Sequence, residues 1–283
     1  TVPSLGGSTV WQGFAVGVGD DMMNPEVNRR VFLNSRADDF SLNINRDTGN
    51  ISGTLNASEQ TDGSIYLNAL QIGGNYGSAY INDNLIIAKI GGTAPVVNGT
   101  NRGELKSQGN YLVSENPDAP IATYATWGTW EIAYDDPTSA QPYHVHNPGA
   151  LWVTGERTPT SEIQNLIANN LSATYTGGAE GIFIPANGSF SNLTNGTSNL
   201  LIDFNPTART PVSGTLNFNE ISLNVSSSIG NLTDQGFRGR ITTANQSSLQ
   251  GAFYGLNAGS IGGSFDTQMG TGDRYTGIFG GDR

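Results

Sequence analysis

Short stretches of alternating apolar and polar residues run along the chain, punctuated by Gly, Asn and Asp at roughly ten-residue spacing. That pattern predicts antiparallel strands joined by hairpins. In the first part, strands are expected over residues 40–45, 51–56, 65–72, 78–81 and 85–90. Arg46-Asp47-Thr48-Gly49-Asn50 carries turn chemistry between the first two. One segment, 161–169, reads as a short helix, with Ser161 as its cap and Ile163, Leu166 and Ile167 on one face.

From about Ala173 the pattern becomes more regular. Eight strands are expected over 173–183, 198–204, 212–218, 221–227, 237–243, 249–254, 260–266 and 275–279. Eight is a natural closure number, because a barrel of that size fills with its own side chains and leaves no edge. Inward glycines at 251, 255, 262, 263 and 277 would help so small a barrel to bend. The expected fold is all-β: an N-terminal antiparallel sheet domain over 1–160, then an eight-stranded antiparallel barrel over 161–283. A short echo, Asp39-Phe40 with Ser52-Gly53-Thr54-Leu55 against Asp203-Phe204 with Ser213-Gly214-Thr215-Leu216, suggests that the two sheet units are related.

Composition agrees and narrows the function. Charged residues make up 13% of the 283 positions and hydrophobic ones 36%, with 38 glycines. Such a low-charge chain with many aromatic and β-branched residues fits neither disorder nor a helical bundle. The net charge is −11, and the only lysines are Lys89 and Lys106. No basic stripe exists to neutralise phosphates, so nucleic acid and anionic membrane surfaces are excluded as partners. Cysteine is absent, which removes disulfides, thiolate metal sites, a cysteine nucleophile and the acceptor for a lipid anchor. No run of 18 apolar residues predicts a membrane helix, and no membrane insertion is expected. The start, Thr1-Val2-Pro3-Ser4, has no signal-peptide character. The protein is expected to be exported, either secreted or loosely associated with the cell surface.

Near the C-terminus the residues become specific. Gly251-Ala252-Phe253-Tyr254-Gly255 leads through Ile261-Gly262-Gly263-Ser264-Phe265 to Tyr275-Thr276-Gly277-Ile278-Phe279-Gly280-Gly281. This resembles the closing strands of the transferrin-binding-protein-B-like barrel. Ala173-Thr174-Tyr175-Thr176-Gly177 is similar to the first strand of such barrels. Upstream, Tyr124-Ala125-Thr126-Trp127-Gly128-Thr129-Trp130 and Gly155-Glu156-Arg157-Thr158-Pro159 are similar to elements that precede the barrel in solute-binding relatives. The resemblance covers roughly residues 120–283. It implies a bacterial binding protein with a handle domain joined to a barrel, in a family that binds host transferrin, complement regulators, haemoglobin or haem. With no lipidated cysteine, the chain is most similar to the soluble, haem-carrying haemophilin branch. That branch implies haem as cofactor and an outer-membrane receptor of the TonB-dependent type as partner.

Candidate chemistry concentrates in one segment. Both histidines of the chain, His144 and His146, lie in Gln141-Pro142-Tyr143-His144-Val145-His146-Asn147-Pro148-Gly149. The prolines and glycine predict a loop, where binding residues concentrate. Imidazole is a common ligand of haem iron and of bare metal ions. In an extended segment residues two apart share a face, about 6.6 Å apart. One haem needs axial ligands on opposite faces, so this pair cannot easily supply both, whereas a bare ion could accept both in cis. A third reading leaves the loop as ordinary solvated surface. For haem, Tyr134 and Tyr143 are candidate second ligands, and Met22 and Met23 are candidate thioether ligands or porphyrin contacts. Trp127, Trp130 and Trp152 are expected in the core. No enzyme is expected: the nucleophile-elbow, zinc-protease and P-loop motifs are absent, and Asp20-Asp21 and Asp135-Asp136 read as turns.

Three functions follow as expectations. The first is a haemophore-like protein that captures haem and presents it to an outer-membrane receptor. The second is a module that binds a host protein, as the transferrin binders do, and the third is a structural matrix protein. The His-x-His segment favours the first.

Overall fold

The computed structural model describes residues 8–21, 29–35, 39–45, 48, 50–59, 65–73, 79–82, 85–91, 96–97, 100–101, 104–105, 110–114, 122–135, 143–187 and 189–283. The chain divides into two compact units. One comprises Pro3–Asp118 and Trp127–Thr154, the other Ala119–Thr126 and Gly155–Arg283.

The first unit is built from β1 (Ser8–Asp21), β2 (Arg29–Asn34), β3 (Phe40–Asn45), β4 (Asn50–Glu59), β5 (Ile65–Gly73), β6 (Ala79–Asn82), β7 (Leu85–Gly91), β8 (Val96–Val97), β9 (Thr100–Asn101), β10 (Glu104–Leu105), β11 (Tyr111–Ser114), β12 (Ala125–Asp135) and β13 (Tyr143–Glu156). Alternation explains β3: Phe40, Leu42 and Ile44 are buried while the residues between them are not. The main order is β4-β3-β1-β13-β12-β11-β7-β5. Because β4 also pairs with β5, the sheet curls until this path closes. Asp20 and Asp21 belong to β1 and lie in register opposite Arg30 and Arg29. This corrects the turn expected for that acid pair: both residues belong to the ladder.

The second unit holds the helix and barrel. Helix α1 (Thr160–Ala168) buries Ile163 and Leu166, as the spacing predicts. Its cap is a correction: Pro159 holds the N-cap position and no side chain caps it. The carbonyl of Pro159 accepts from the N–H groups of Glu162 and Ile163, which starts the helix before Ser161.

The barrel follows as β14 (Ser172–Ile184), β15 (Ser191–Asn192), β16 (Thr197–Asp203), β17 (Val212–Asn217), β18 (Ser222–Ser226), β19 (Leu232–Thr233), β20 (Gly236–Ile241), β21 (Gln246–Tyr254), β22 (Ser260–Gln268) and β23 (Arg274–Asp282). Eight of these run β14-β16-β17-β18-β20-β21-β22-β23, and β14 pairs with β23 to close the barrel. The short β15 and β19 pair with β14 and β20 beside that path. The expected all-β fold, a curled antiparallel sheet followed by a closed eight-stranded barrel, is the fold observed.

Phenylalanines fill the barrel. Phe237 lies 5.5 Å from Phe253 and 6.3 Å from Phe279 between ring centroids, and Phe218 lies 6.0 Å from Phe265. Their space comes from glycines directly across the ladder. Phe237 pairs with Gly251, Phe279 with Gly263 and Phe265 with Gly277. A Cβ at these glycines would meet the opposite ring at 2.2, 2.5 and 2.8 Å respectively. Each ring lies over the bare backbone of its cross-strand partner and shields it.

The turn between β21 and β22 gathers the rest of the unit. Gly255 has φ +71°, and a Cβ there would strike the ring of Tyr124 at 2.3 Å, so glycine is required on both counts. Ala258 is buried at φ 54°, a conformation that costs a non-glycine residue about 1–2 kcal/mol. Many bonds hold it in place. The Tyr175 hydroxyl donates to the Ala258 carbonyl at 2.9 Å, and Thr158 Oγ1 donates to the Gly255 carbonyl at 2.7 Å. Glu162 accepts from the Asn257 N–H. Asp282 accepts from the N–H and hydroxyl of Thr123, at 2.8 and 2.7 Å, which ties 122–126 to the end of β23.

The structure does not support the echo between the units. Phe40 opens β3, whereas Phe204 follows the end of β16. Gly53 lies opposite Leu42, beyond Phe40, whereas Gly214 lies opposite Leu200, before Phe204. The same letters sit at different hairpin positions.

Two outcomes follow from the barrel. Gly251→Ala is expected to cost about 1–3 kcal/mol by overpacking, and Phe237→Leu in the same chain to recover part of it. Denaturant unfolding of the single and double variants measures this, and purely additive losses would overturn the ring-over-glycine account.

The second outcome concerns alkali. Burial pushes the hydroxyls of Tyr175 and Tyr254 up to about 12, offset in part by Arg283 and Arg157. The unfolded chain ionises near 10 while the folded chain keeps these protons, so stability is complete below that pH and falls as pH rises through about 12. The Tyr254 hydroxyl is buried with no hydrogen-bond partner among the described residues. Tyr254→Phe is therefore expected to be neutral or stabilising at pH 7. Tyr175→Phe, which strips a bond from the Ala258 carbonyl, is expected to cost about 1 kcal/mol. Both should flatten the alkaline limb of a plot of unfolding midpoint against pH.

Candidate functional site

The sequence-predicted site falls on the β12–β13 hairpin of the first unit. Two tryptophans anchor this hairpin from the core. Trp130, in β12, is buried, and its Nε1 donates to the carbonyls of Val16 at 3.0 Å and Leu151 at 3.2 Å. Trp152, in β13, is buried as well, and its Nε1 donates to the carbonyls of Thr129 at 3.0 Å and Val113 at 3.2 Å. A buried indole N–H needs a partner, and these four bonds link the hairpin to β1 and β11 as well as to itself. The Phe40 ring packs edge-on against Trp152 at 5.9 Å. Trp130 and Trp152 are core as predicted, whereas Trp127 is half-buried.

Where the chain approaches most closely, side chains are missing by necessity. Gly128 of β12 lies opposite Ser114 of β11, and a Cβ on it would come within 1.9 Å of the Val113 carbonyl oxygen. Gly13 of β1 stands in the same relation to the Val153 carbonyl oxygen, also at 1.9 Å. The hairpin is thus locked on both flanks.

The predicted loop over 141–149 is corrected by the structure. From Tyr143 onward the segment is strand, the first half of a fourteen-residue β13 that includes His144, His146, Asn147, Pro148 and Gly149. The partner β12 continues to Asp135, so ladder pairing overrides the turn-forming composition of the segment. His144 and His146 occupy alternate positions of one strand, the extended arrangement assumed in weighing haem against a bare ion.

Tyr134 lies in the last turn of pairing of β12, opposite Leu105 of β10. Tyr134, Tyr143, His144 and His146 therefore come to adjoining ends of two neighbouring strands. Met22 and Met23 lie outside the described residues, as does Asp136. Glu104, which the sequence reading passes over, lies directly opposite Asp135. Nothing in the sequence signals that pairing, because β10 is two residues long and has no periodicity to read. Among the described residues no group of three or more His, Asp or Glu side chains converges as a metal site. No helix among them is long and apolar enough to cross a membrane.

Residues 161–283 match the family model described as the C-lobe and N-lobe beta barrels of Tf-binding protein B. No curated protein sequence matches the chain. Among solved structures, the chain is similar to isotype 1 transferrin-binding protein B from serogroup B Neisseria meningitidis, with 13% identity over 98% of this chain and 77% of that one and a TM-score of 0.42. It is similar to HpuA from Kingella denitrificans, solved in complex with human haemoglobin, with 13% identity over 99% and 85% of the two chains and a TM-score of 0.34. The N-lobe domain of lactoferrin-binding protein B from Moraxella bovis is similar at 12% identity over 98% and 99%, with a TM-score of 0.33. The closing glycine–aromatic strands that carry the resemblance on sequence lie within the matched region, and residues 161–283 form a barrel of the transferrin-binding-protein-B type.

Proposed function

We propose that this chain is a non-enzymatic bacterial binding protein, exposed at or released from the cell surface, that captures a host iron-carrying protein, either transferrin or haemoglobin. The observation that carries this reading is the match of residues 161–283 to the transferrin-binding-protein-B barrel. The packing agrees with it. Phe218, Phe237, Phe253, Phe265 and Phe279 fill the barrel interior, so binding falls to loops and outer surfaces, where large partners engage.

A second reading rests on the β12–β13 hairpin. Tyr134 lies near the end of β12, and Tyr143, His144 and His146 lie at the start of β13. In this reading the chain captures haem through one imidazole, from His144 or His146, with Tyr134 or Tyr143 available as the second ligand. Met22 and Met23 are further candidates for contact with the porphyrin. The loaded chain would then present haem to an outer-membrane receptor of the TonB-dependent type. A bare metal ion would instead engage both imidazoles.

Immobilised protein exposed to transferrin, haemoglobin and hemin tests both readings. Saturable binding of transferrin or haemoglobin supports the first, and failure of both proteins to bind overturns it. For the second, hemin should produce a Soret band that one of His144→Ala and His146→Ala abolishes and the other retains. Equal partial losses, together with Zn or Co raising the unfolding temperature, identify a bare ion instead. A Soret band untouched by either substitution removes the histidines from the site.

A further inference from the structure

The outer wall of the barrel carries arginines that have no acid beside them. In β20, Phe237 and Ile241 are buried in the core, while Arg238 and Arg240 between them are exposed. The register sets Arg238 opposite Gln250 and Arg240 opposite Ser226, both uncharged. The segment after β18 runs alongside: the Arg238 N–H donates to the Asn231 carbonyl at 2.8 Å. This segment presents Ile229, which is 60% exposed. The Val212 N–H donates to Ser227 Oγ at 2.8 Å, which brings the 204–211 loop and exposed Arg209 to the same segment.

The other arginines of this unit are committed. Arg274 pairs with Asp266, Arg157 donates to the Gln235 carbonyl and Arg283 to the Asn257 carbonyl. Two carboxylates of this unit are bonded elsewhere. Asp234 accepts from Gln164 at 3.0 Å, and Asp203 accepts from the Asn205 N–H at 3.0 Å. Among the described residues, the guanidinium groups of Arg209, Arg238 and Arg240 remain without a partner, on a chain whose net charge is −11.

We propose that this wall is a docking surface for an extended acidic segment of a partner protein, whose carboxylates pair with Arg238 and Arg240 while an apolar neighbour covers Ile229. The guanidinium fork takes a carboxylate in a bidentate, geometrically specific bond. Alternate strand positions stand about 6.6 Å apart, the same spacing as acidic residues two apart in an extended peptide. Arginines beside an exposed aliphatic side chain have the composition of a protein interface. The patch does not suit a nucleic acid or an anionic bilayer, since those draw on long stripes or clusters of about four to eight basic residues. Elsewhere the acidic chain repels such a segment, so charge directs it to this wall. The surface belongs to the second unit, whereas the β12–β13 hairpin belongs to the first.

A fluorescent peptide with glutamates at alternate positions around a central leucine is the probe, titrated against the full chain at low and at physiological salt. The wild type should bind, more weakly as salt rises. R238Q/R240Q should weaken binding roughly tenfold or more with an unchanged unfolding temperature. Ile229→Ser should weaken it several-fold. No binding by the wild type at low salt, or equal binding by R238Q/R240Q, overturns the proposal. Tighter binding of heparin or of phosphatidylserine vesicles than of the peptide overturns it as well, and assigns the patch to a polyanion.

Discussion

Everything in the barrel depends on aromatic rings lying over glycines. A closed barrel of eight strands has room inside for side chains but not for large ones at every position. Phe237, Phe265 and Phe279 enter because Gly251, Gly277 and Gly263 face them across the ladder without a Cβ. Glycine weakens a strand on its own account, and the ring that covers its backbone compensates for that weakness. The arrangement also fixes register. A slip of one residue would turn each ring outward and drive a side chain into the space of another.

The same register decides the surface. Because Phe237 and Ile241 face inward, Arg238 and Arg240 must face outward, and the polar character of the wall follows from the packing of the core. The β21–β22 turn extends this logic to the connections. Ala258 is held at a costly φ by bonds from Tyr175, Thr158 and Glu162 around it. A strained residue persists only where its surroundings over-determine it. Here the surroundings are α1, the first strand of the barrel and the 122–126 segment, which joins through Tyr124 and Thr123.

The sheet unit solves a similar problem with indoles. Trp130 and Trp152 bury a large apolar surface and place each N–H between two carbonyls. That combination rigidifies one hairpin at its core end, and the residues of chemical interest lie toward its other end.

The sequence by itself determined the fold class, the eight barrel strands and the apolar face of α1. Those are local properties: period-two alternation, glycine–aromatic spacing, and apolar residues three and four apart. It also put Trp130 and Trp152 in the core, where they lie, and Trp127, which is half-buried; His144 and His146 it placed together. Tertiary structure alone decided what depends on pairing between distant residues. The turn-like composition of 141–149 becomes strand from Tyr143 because β12 extends far enough to hold it. Asp20 and Asp21 become ladder residues because Arg30 and Arg29 stand opposite. Thr123 and Tyr124 join the barrel through contacts with Asp282 and Gly255, far along the chain. The arginines of β20 were visible as letters, but that uncharged Gln250 and Ser226 stand opposite them was not. Periodicity records which face a residue takes, and only the folded chain records what stands across from it.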